Sequence, residues 1–288
     1  MRVLLTGASG QLGVYATDVL LEQGHQVVAW SGRTGGGRSG VTFEPVDLTN
    51  GALVETELAR ADPAAILHLA AISSAEGVRQ DLAFARLVNV EATRRLAEWC
   101  GDRGRGFVFT STDLVFDGSN SWRREADRAE PILAYGRTKR EAELAVLAIP
   151  TALVARVSLL YGPSRCGRES YFDKTLAGLR QGVPQSMFED EFRTPLDLLS
   201  AARALVGLLE LGETGVVHVG GRERVSRYDL IRRAAIALRV APMLVRPNRR
   251  SDAPSVEPRP ADVSLDTTRL AKLLPDLVRP SIEEVVIF

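Results

Sequence analysis

A tyrosine and a lysine four residues apart carry the clearest chemical signal in this sequence. Tyr135 and Lys139 form a Y-x-x-x-K pattern, and at the start of a helix residues four apart project from one face. A free tyrosine has a pKa near ~10 and is a poor acid–base catalyst at neutral pH, but a nearby cation lowers that pKa. Only 3 of the 36 basic residues are lysine, so chance would favour arginine here. We therefore predict that Tyr135 exchanges a proton with the substrate, while Lys139 tunes it and binds a ribose hydroxyl.

A hydroxyl beyond the end of a predicted strand completes a candidate triad. The strand Gly106–Thr110 leads into Thr112, and the carboxyl ends of parallel strands face the crevice in which ligands bind. A threonine there would face the same crevice as Tyr135 and Lys139. The alternative is an ordinary strand-end hydroxyl or a helix cap, but the three elements together favour a catalytic role.

Three glycines near the N-terminus predict a dinucleotide site. They form G-x-x-G-x-x-G between a predicted strand, Arg2–Thr6, and a predicted helix, Gln11–Gln23. A tight turn, a close backbone approach to a pyrophosphate and close helix–strand packing each exclude a Cβ, and the helix N-terminus offers free N–H groups. The predicted contacts are Gly7, Ser9, Gly10, Gln11, Leu12 and Gly13.

The end of the second strand bears on which dinucleotide binds. NAD sites usually carry an acid there, whereas this chain has Ser31 and Arg33. Arginine and a hydroxyl suit a 2′-phosphate, so we expect NADP, with NAD as the alternative cofactor and a solvated loop arginine as the alternative for Arg33. His68 lies in the apolar predicted strand Ala65–Leu69 and is predicted to be a packed core histidine. Further predicted cofactor contacts are Asp47, Leu48, Leu69, Ala70, Ala71 and Thr110, together with Tyr135 and Lys139.

The elements that must position these residues alternate along the first half of the chain. The predicted strands are Arg2–Thr6, Gln26–Ala29, Ala65–Leu69, Gly106–Thr110, Ala152–Val157 and Val216–Val219. Helical patterns between them predict βαβ units. The expected fold is therefore α/β, a doubly wound parallel (Rossmann) sheet with a smaller C-terminal substrate lobe. We assign residues 1–161 plus about 196–220 to the NADP-binding domain, and about 162–195 plus 221–288 to the lobe.

Later segments give fewer signals. Helices are predicted over Asp197–Leu211 and Arg227–Arg239, with Asp197 and Ser226 as N-caps. The segment Arg246–Pro260 holds four prolines and is predicted to be irregular.

Composition excludes several function classes. The 36 acidic and 36 basic residues cancel, which argues against a nucleic-acid binder. The two cysteines support neither a disulfide framework nor a zinc site, and no apolar run reaches the ~20 residues of a membrane span. We expect a cytoplasmic protein without a metal, a membrane partner or a nucleic-acid partner.

These motifs together resemble the extended short-chain dehydrogenase/reductase family, over nearly the whole chain. The sequence Ser111-Thr112-Asp113-Leu114-Val115-Phe116-Asp117-Gly118, with Tyr135–Lys139 and Arg259-Pro260, is most similar to the dTDP-4-dehydrorhamnose reductases of that family. The resemblance implies an NAD(P)-dependent reductase of a nucleotide-activated 4-keto sugar. In it Tyr135 would donate a proton, Thr112 would hydrogen-bond the carbonyl, and Lys139 would bind the nicotinamide ribose.

The resemblance also frames the substrate side and the alternatives. Dehydratases of the family carry an Asp-Glu pair after the strand hydroxyl, whereas here Asp113 precedes Leu114. A sugar-nucleotide epimerase remains an alternative, as does a non-catalytic NADP-binding subunit like the methionine adenosyltransferase regulatory subunit. Arg193 is the candidate for the substrate diphosphate, although a surface arginine beside acids is as plausible. The full predicted substrate set is Ser73, Thr112, Ser158, Tyr161 and Arg193, and a homodimer is a further expectation.

Overall fold

An eight-stranded sheet forms the centre of the molecule. The computed structural model describes residues 1–32, 36–38, 40–253 and 256–287. Its strands are β1 Arg2–Thr6, β2 Gln26–Ser31, β3 Gly36–Arg38, β4 Val41–Pro45, β5 Ala65–His68, β6 Gly106–Thr112, β7 Ala152–Val157 and β12 Gly215–Val219. The strand order is β12-β7-β6-β5-β1-β2-β4-β3, parallel throughout except for β3 against β4. The order reverses beside β1, so the predicted doubly wound parallel sheet is confirmed.

The described residues form eleven α-helices, of which some cover the two faces of this sheet and others pack away from it. They are α1 Gln11–Glu22, α2 Gly51–Ala61, α3 Ala75–Gln80, α4 Leu82–Arg86, α5 Ala92–Asp102, α6 Ala134–Leu147, α7 Tyr171–Arg180, α8 Leu198–Leu211, α9 Arg227–Ala237, α10 Thr268–Leu273 and α11 Ile282–Ile287. Asp197 caps α8 by accepting from the Ser200 N–H, and Ser226 caps α9 by accepting from the Asp229 N–H. Both predicted N-caps are therefore confirmed.

Alternating side chains divide the core into two layers. Val3 and Leu5 of β1 join the cluster under α1 and α8, whereas Leu4 between them joins the cluster under α2, α5 and α6. This is the period-two alternation of a strand buried on both faces. The sheet is consequently a rigid platform whose carboxyl ends can hold a site.

Six shorter strands lie in the C-terminal half. They are β8 Leu160–Tyr161, β9 Gln185–Phe188, β10 Phe192–Arg193, β11 Leu196–Asp197, β13 Val225–Ser226 and β14 Val245–Asn248. They pair as β8 with β11, β9 with β14, and β10 with β13. The prediction that Arg246–Pro260 is irregular is wrong at its start, because Pro247 lies in β14 opposite Met187. A two-stranded pair leaves each strand one free edge, where a proline costs no ladder hydrogen bond.

Within the described residues, the structure contains no helix of the length and apolar character required to cross a bilayer.

The glycine loop after β1 is held by close backbone contacts. Gly7 has φ +69°, and a Cβ on it would lie 2.8 Å from the Ala70 nitrogen. A Cβ on Gly13 would lie 2.1 Å from the Gly7 carbonyl oxygen. Both positions therefore need glycine. At Gly7 the reason is the positive φ angle, and at Gly13 it is the close approach of helix α1 to the loop backbone.

We predict that Gly13→Ala lowers the free energy of unfolding by about 1–3 kcal/mol, because α1 must move away from the loop to admit the methyl group. The control is Gly32→Ala, where an added Cβ meets nothing within 4 Å and the change should stay within about 0.5 kcal/mol. Urea denaturation followed by circular dichroism measures both. Equal stabilities for the two variants would contradict the packing argument.

Candidate active site

The glycine loop lies between the carboxyl ends of β2 and β5. The loop N–H of Ala8 donates to the Trp30 carbonyl at 3.0 Å, and the N–H groups of Leu69 and Ala70 both donate to Thr6 Oγ1 at 3.2 Å. The structure thus brings together the predicted contacts 7–13 and 69–71. Ser31 ends β2, is buried and donates to the Glu44 carbonyl at 3.3 Å.

The remaining predicted cofactor residues lie around this loop. Asp47 is exposed and Leu48 is buried after β4, while Thr110 Oγ1 donates to the His68 carbonyl at 3.0 Å. Arg33, on which the NADP prediction rested, lies outside the described residues.

His68 is a fully buried core residue, as predicted. Its hydrogen bonds also fix the tautomer of the ring. The Thr93 hydroxyl donates to the Asn89 carbonyl, so His68 Nε2 must donate to Thr93 Oγ1 at 3.0 Å, and Nδ1 must accept from Thr6 Oγ1 at 2.6 Å. Burial, with a smaller contribution from the charge of Lys139, lowers the pKa of His68 to about 3. The ring is therefore neutral, and its two hydrogen bonds connect Thr6 at the end of β1 to Thr93 in α5.

Thr112 and Tyr135 meet at the carboxyl end of β6. Thr112 caps a 3-10 turn over Asp113–Val115 by accepting from the Leu114 N–H at 3.2 Å, and its hydroxyl donates to Asp113 Oδ1 at 3.3 Å. The same hydroxyl lies close enough to the Tyr135 phenol to influence its pKa. A Cβ on Gly136 would lie 2.2 Å from the Leu114 carbonyl oxygen. Glycine at 136 is what lets the first turn of α6 approach this closely and place the phenol beside the threonine.

The pKa of Tyr135 is raised above its usual value. Burial is the main cause, the carboxylate of Asp113 adds to it, and the hydrogen bond with Thr112 opposes it. The prediction that Lys139 lowers this pKa is therefore wrong for this structure. The phenol holds its proton at neutral pH, so Tyr135 is set to act as a proton donor.

Lys139 lies one turn further along α6 and is only 2% exposed. Its ammonium lies 4.1 Å from the centre of the Phe109 ring and forms no hydrogen bond or ion pair with any residue that the structure describes. Burial lowers the pKa of Lys139 to about 7, although the charge of Glu143 opposes the shift. A buried amine without a carboxylate partner is costly, which favours a functional reason for this lysine.

Two buried polar residues that the sequence analysis did not single out hold α6 in place. Arg156 of β7 forms two hydrogen bonds of 2.9 Å to Glu143. Asn89 accepts from the Ile72 N–H at 2.8 Å and donates to Thr138 Oγ1 at 3.1 Å. The charged Arg156 in an otherwise apolar strand was a usable signal. Asn89 gave none, because it lies in a π-helical turn, Leu87–Glu91, inside an apparently regular helix.

A cavity of about 460 Å³ lies beside the turn that follows Thr112 and the start of α6, and Thr112, Tyr135 and Lys139 are not among its lining residues. Its lining residues are Ala75, Glu76, Arg79, Leu114, Leu133, Glu191, Arg193, Arg227, Val256, Glu257, Arg259 and Pro260. Arg193 is buried, with Nη1 3.2 Å from Asp113 Oδ1 and Nη2 3.3 Å from Glu191 Oε1. It is therefore not a surface arginine, and it bridges the cavity to the turn that follows Thr112.

Glu191 gathers three arginines at the cavity wall. Its side chain is nearly inaccessible and pairs with Arg193, Arg227 and Arg259 at 2.7–3.3 Å. Burial opposes the shift, but the three guanidinium groups lower the pKa of Glu191. Because Arg193 is shared with Asp113, the three guanidinium groups exceed these two carboxylates by one positive charge, which suits an anionic ligand.

The other predicted substrate residues lie in different surroundings. Ser73 is exposed two residues before the cavity residue Ala75. Ser158 donates to Asp113 Oδ2 at 3.0 Å and accepts from the Thr194 N–H at 3.2 Å. The structure does not bring Tyr161 to this cavity. Its ring packs against Phe172 at 5.7 Å and borders a separate cavity of about 300 Å³.

Known proteins resemble this chain over nearly its whole length. Residues 1–286 match the family model described as the RmlD substrate binding domain. The chain is 30% identical over 284 residues to dTDP-4-dehydrorhamnose reductase of Aggregatibacter actinomycetemcomitans, covering 93% of this chain and 92% of that protein. It is 31% identical over 281 residues to methionine adenosyltransferase 2 subunit beta of Xenopus tropicalis, covering 94% and 82%. A crystal structure of a hypothetical dTDP-4-dehydrorhamnose reductase from Sulfolobus tokodaii has a TM-score of 0.85 at 28% identity, over 98% of both chains.

We predict that Lys139→Met is more stable than the parent below pH 7, by about 1–3 kcal/mol. The lowered pKa means that the folded state binds fewer protons than the unfolded state between the folded pKa of about 7 and the unfolded pKa of ~10.4. The penalty of the buried charge is therefore full below pH 7 and is relieved as the pH rises.

Urea denaturation at pH 6, 7.5 and 9 measures the difference, which should shrink with rising pH. The control is Lys174→Met, at an exposed position in α7, which should show no such trend. A Lys139→Met difference that does not change with pH would show that the lysine is not titrating in the folded protein.

Proposed function

The chain belongs to the RmlD substrate binding domain family, and on that premise we propose that it is an NAD(P)-dependent reductase of a nucleotide-activated 4-keto sugar. One observation carries the proposal. A tyrosine kept protonated by burial and by Asp113 lies beside Thr112, close to a cavity whose lining includes four arginines and three glutamates. A proton donor next to an anion-binding wall is what reduction of a sugar nucleotide requires.

The glycine loop fits a dinucleotide. No side chain caps α1 at Gly10, and the first turn of α1 contains no acid, so its N–H groups and the positive end of its dipole are free for a pyrophosphate. The residues proposed to hold the cofactor are those predicted from the sequence around the loop, with Lys139 on the ribose. When bound, the nicotinamide supplies the hydride. NADP rather than NAD is our proposal, based on Ser31 and Arg33.

The chain's own residues handle the proton. Tyr135 donates its phenolic proton to the carbonyl oxygen as the carbonyl carbon receives the hydride, and a solvent proton later restores the phenol. Thr112 holds the carbonyl oxygen by a hydrogen bond. Asp113 keeps the phenol protonated between turnovers, and Ser158 fixes Asp113. We therefore propose that Ser158 positions the site rather than touching the sugar.

The substrate side follows from the arginine wall. Arg193 would bind the diphosphate, together with Arg227 and Arg259, while Ser73 lies at the rim. These three arginines come from the segments that we propose as the substrate lobe, about 162–195 plus 221–288. Binding of the nucleotide sugar would then place its reacting carbon at the boundary of lobe and sheet.

The alternatives are separated by specific residues. An epimerase must first oxidise its substrate, for which a phenolate is needed, and the raised pKa of Tyr135 disfavours that form. A dehydratase needs a base after Asp113, where Leu114 stands. Similarity to methionine adenosyltransferase 2 subunit beta keeps a non-catalytic NADP-binding role as the competing function. The predicted cytoplasmic location and homodimer remain predictions.

We predict that Tyr135→Phe lowers kcat by about 10³-fold, because the proton donor is lost, while leaving the Kd for NADPH unchanged. NADPH oxidation with dTDP-4-dehydro-6-deoxyglucose or its epimerised product measures the first, and fluorescence titration the second. The control is Tyr161→Phe, which removes a phenol of similarly raised pKa outside the cavity and should keep full turnover.

The outcomes separate the functions. Turnover that depends on Tyr135 establishes the reductase, and the ratio of NADPH to NADH rates tests the cofactor preference. Full turnover in Tyr135→Phe would refute the mechanism. Tight NADPH binding without turnover of any keto sugar would favour the regulatory function.

A further inference from the structure

An arginine from the C-terminal half lies on the glycine loop. The segment Pro163–Glu169 joins β8 to α7 and runs beside the start of α1. In it, Arg168 Nη2 donates to the Ser9 carbonyl at 3.0 Å, and Gln11 Nε2 donates to the Arg168 carbonyl at 2.7 Å. Ser9 and Gln11 flank Gly10, where α1 begins. The guanidinium of Arg168 is therefore held at the N-terminus of this helix by the Ser9 carbonyl, while Gln11 holds the backbone of Arg168.

The charge of Arg168 is uncompensated, unlike that of the arginines nearby. Arg38 pairs with Asp18 at 2.9 Å, and Arg165 lies 3.8 Å from the same carboxylate. Arg168 is exposed and makes no ion pair with a residue in the described part of the chain. Its guanidinium donates to a neutral carbonyl, which is a weak partner for a full charge.

The N-terminus of helix α1, next to Arg168, is a separate source of positive electrostatic potential. Helix α1 has 12 residues, no acid in its first turn and no side-chain cap at Gly10. Its dipole and free N–H groups attract an anion, and the guanidinium adds a full charge next to them. Gly167, with φ +74°, turns the backbone so that Arg168 faces α1.

We propose that Arg168 binds the pyrophosphate of the dinucleotide, as a cofactor contact contributed by the C-terminal half. On binding, its guanidinium exchanges the Ser9 carbonyl for phosphate oxygens, and a charge-assisted pair replaces a neutral hydrogen bond. The proposal rests on the dinucleotide cofactor of the proposed function, but not on any turnover. Cofactor binding would then join the segment Pro163–Glu169 to the glycine loop through the phosphates, in place of the direct bond from Arg168 to Ser9.

A purely structural role would leave a different signature. Tyr15 already donates to the Pro163 carbonyl at 2.7 Å, and Arg165 lies over the Tyr15 ring at 4.6 Å. If Arg168 were one more such tether, its loss would lower the melting temperature and weaken every ligand of the loop alike. Arg165→Gln removes a tether of that kind and is therefore the matched control.

The experiment compares the full-length parent with Arg168→Gln, Arg168→Lys and Arg165→Gln. Calorimetric titration measures the Kd for NADPH and for 2′-AMP, which carries the 2′-phosphate but no pyrophosphate. We expect Arg168→Gln to raise the Kd for NADPH by about tenfold, with Arg168→Lys recovering part of the loss. The Kd for 2′-AMP should stay within about twofold for every variant. The melting temperature of Arg168→Gln should match that of the parent.

Added salt provides a second readout. The parent's affinity for NADPH should fall more steeply with ionic strength than that of Arg168→Gln, because one charge pair has been removed. An unchanged NADPH affinity in Arg168→Gln overturns the proposal, as does an equal loss for NADPH and 2′-AMP. A parent that binds no dinucleotide overturns the cofactor of the proposed function as well, so the two failures are distinguishable.

Discussion

The buried ion pair of Glu143 and Arg156 fixes the helix on which the candidate site depends. Tyr135, Lys139 and Glu143 lie at i, i+4 and i+8 of α6 and therefore form one stripe on one face. Arg156 holds the last of them by two hydrogen bonds in the middle of the sheet. Such a pair costs desolvation and adds little net stability. It does set the rotation of α6 about its axis, which decides where the phenol and the amine point.

Along this stripe, Glu143 has an ion-pair partner, whereas the ammonium of Lys139 does not have one among the described residues. Lys139 has the face of the Phe109 ring and the more distant carboxylate of Glu143, and Tyr135 lies beside Thr112 and Asp113. Stability alone would place an apolar side chain at 139, because the amine is dehydrated without a carboxylate in contact. The energy that the fold loses there is the energy a ligand hydroxyl can recover. This is how a functional site comes to violate the packing rules that the rest of α6 obeys.

Local signals in the sequence predicted six of the eight strands of the sheet and suggested the candidate triad. The apolar runs predicted the parallel strands, and short-range capping chemistry predicted Asp197 and Ser226, since each caps an amide only three residues away. Such local signals cannot predict contacts between residues that lie far apart in the sequence. Arg193 could be proposed as a phosphate ligand, but its ion pair with Asp113 joins residues 80 positions apart, and no periodicity records that. The same limit hid Asn89, and it left Tyr161 in the predicted site although its ring packs elsewhere.

The pair of Asp113 and Arg193 couples the cavity to the proton donor. Arg193 shares its charge between Asp113 and Glu191, and Asp113 in turn raises the pKa of Tyr135. On the proposed function, a substrate diphosphate competes for the same guanidinium. Burial raises the pKa of Asp113 and the charge of Arg193 opposes that rise, so a guanidinium drawn to the phosphates favours protonation of Asp113. Tyr135 stays a neutral phenol in either case, because burial is the main cause of its raised pKa, and an enzyme that needed the phenolate would be hindered by the same geometry.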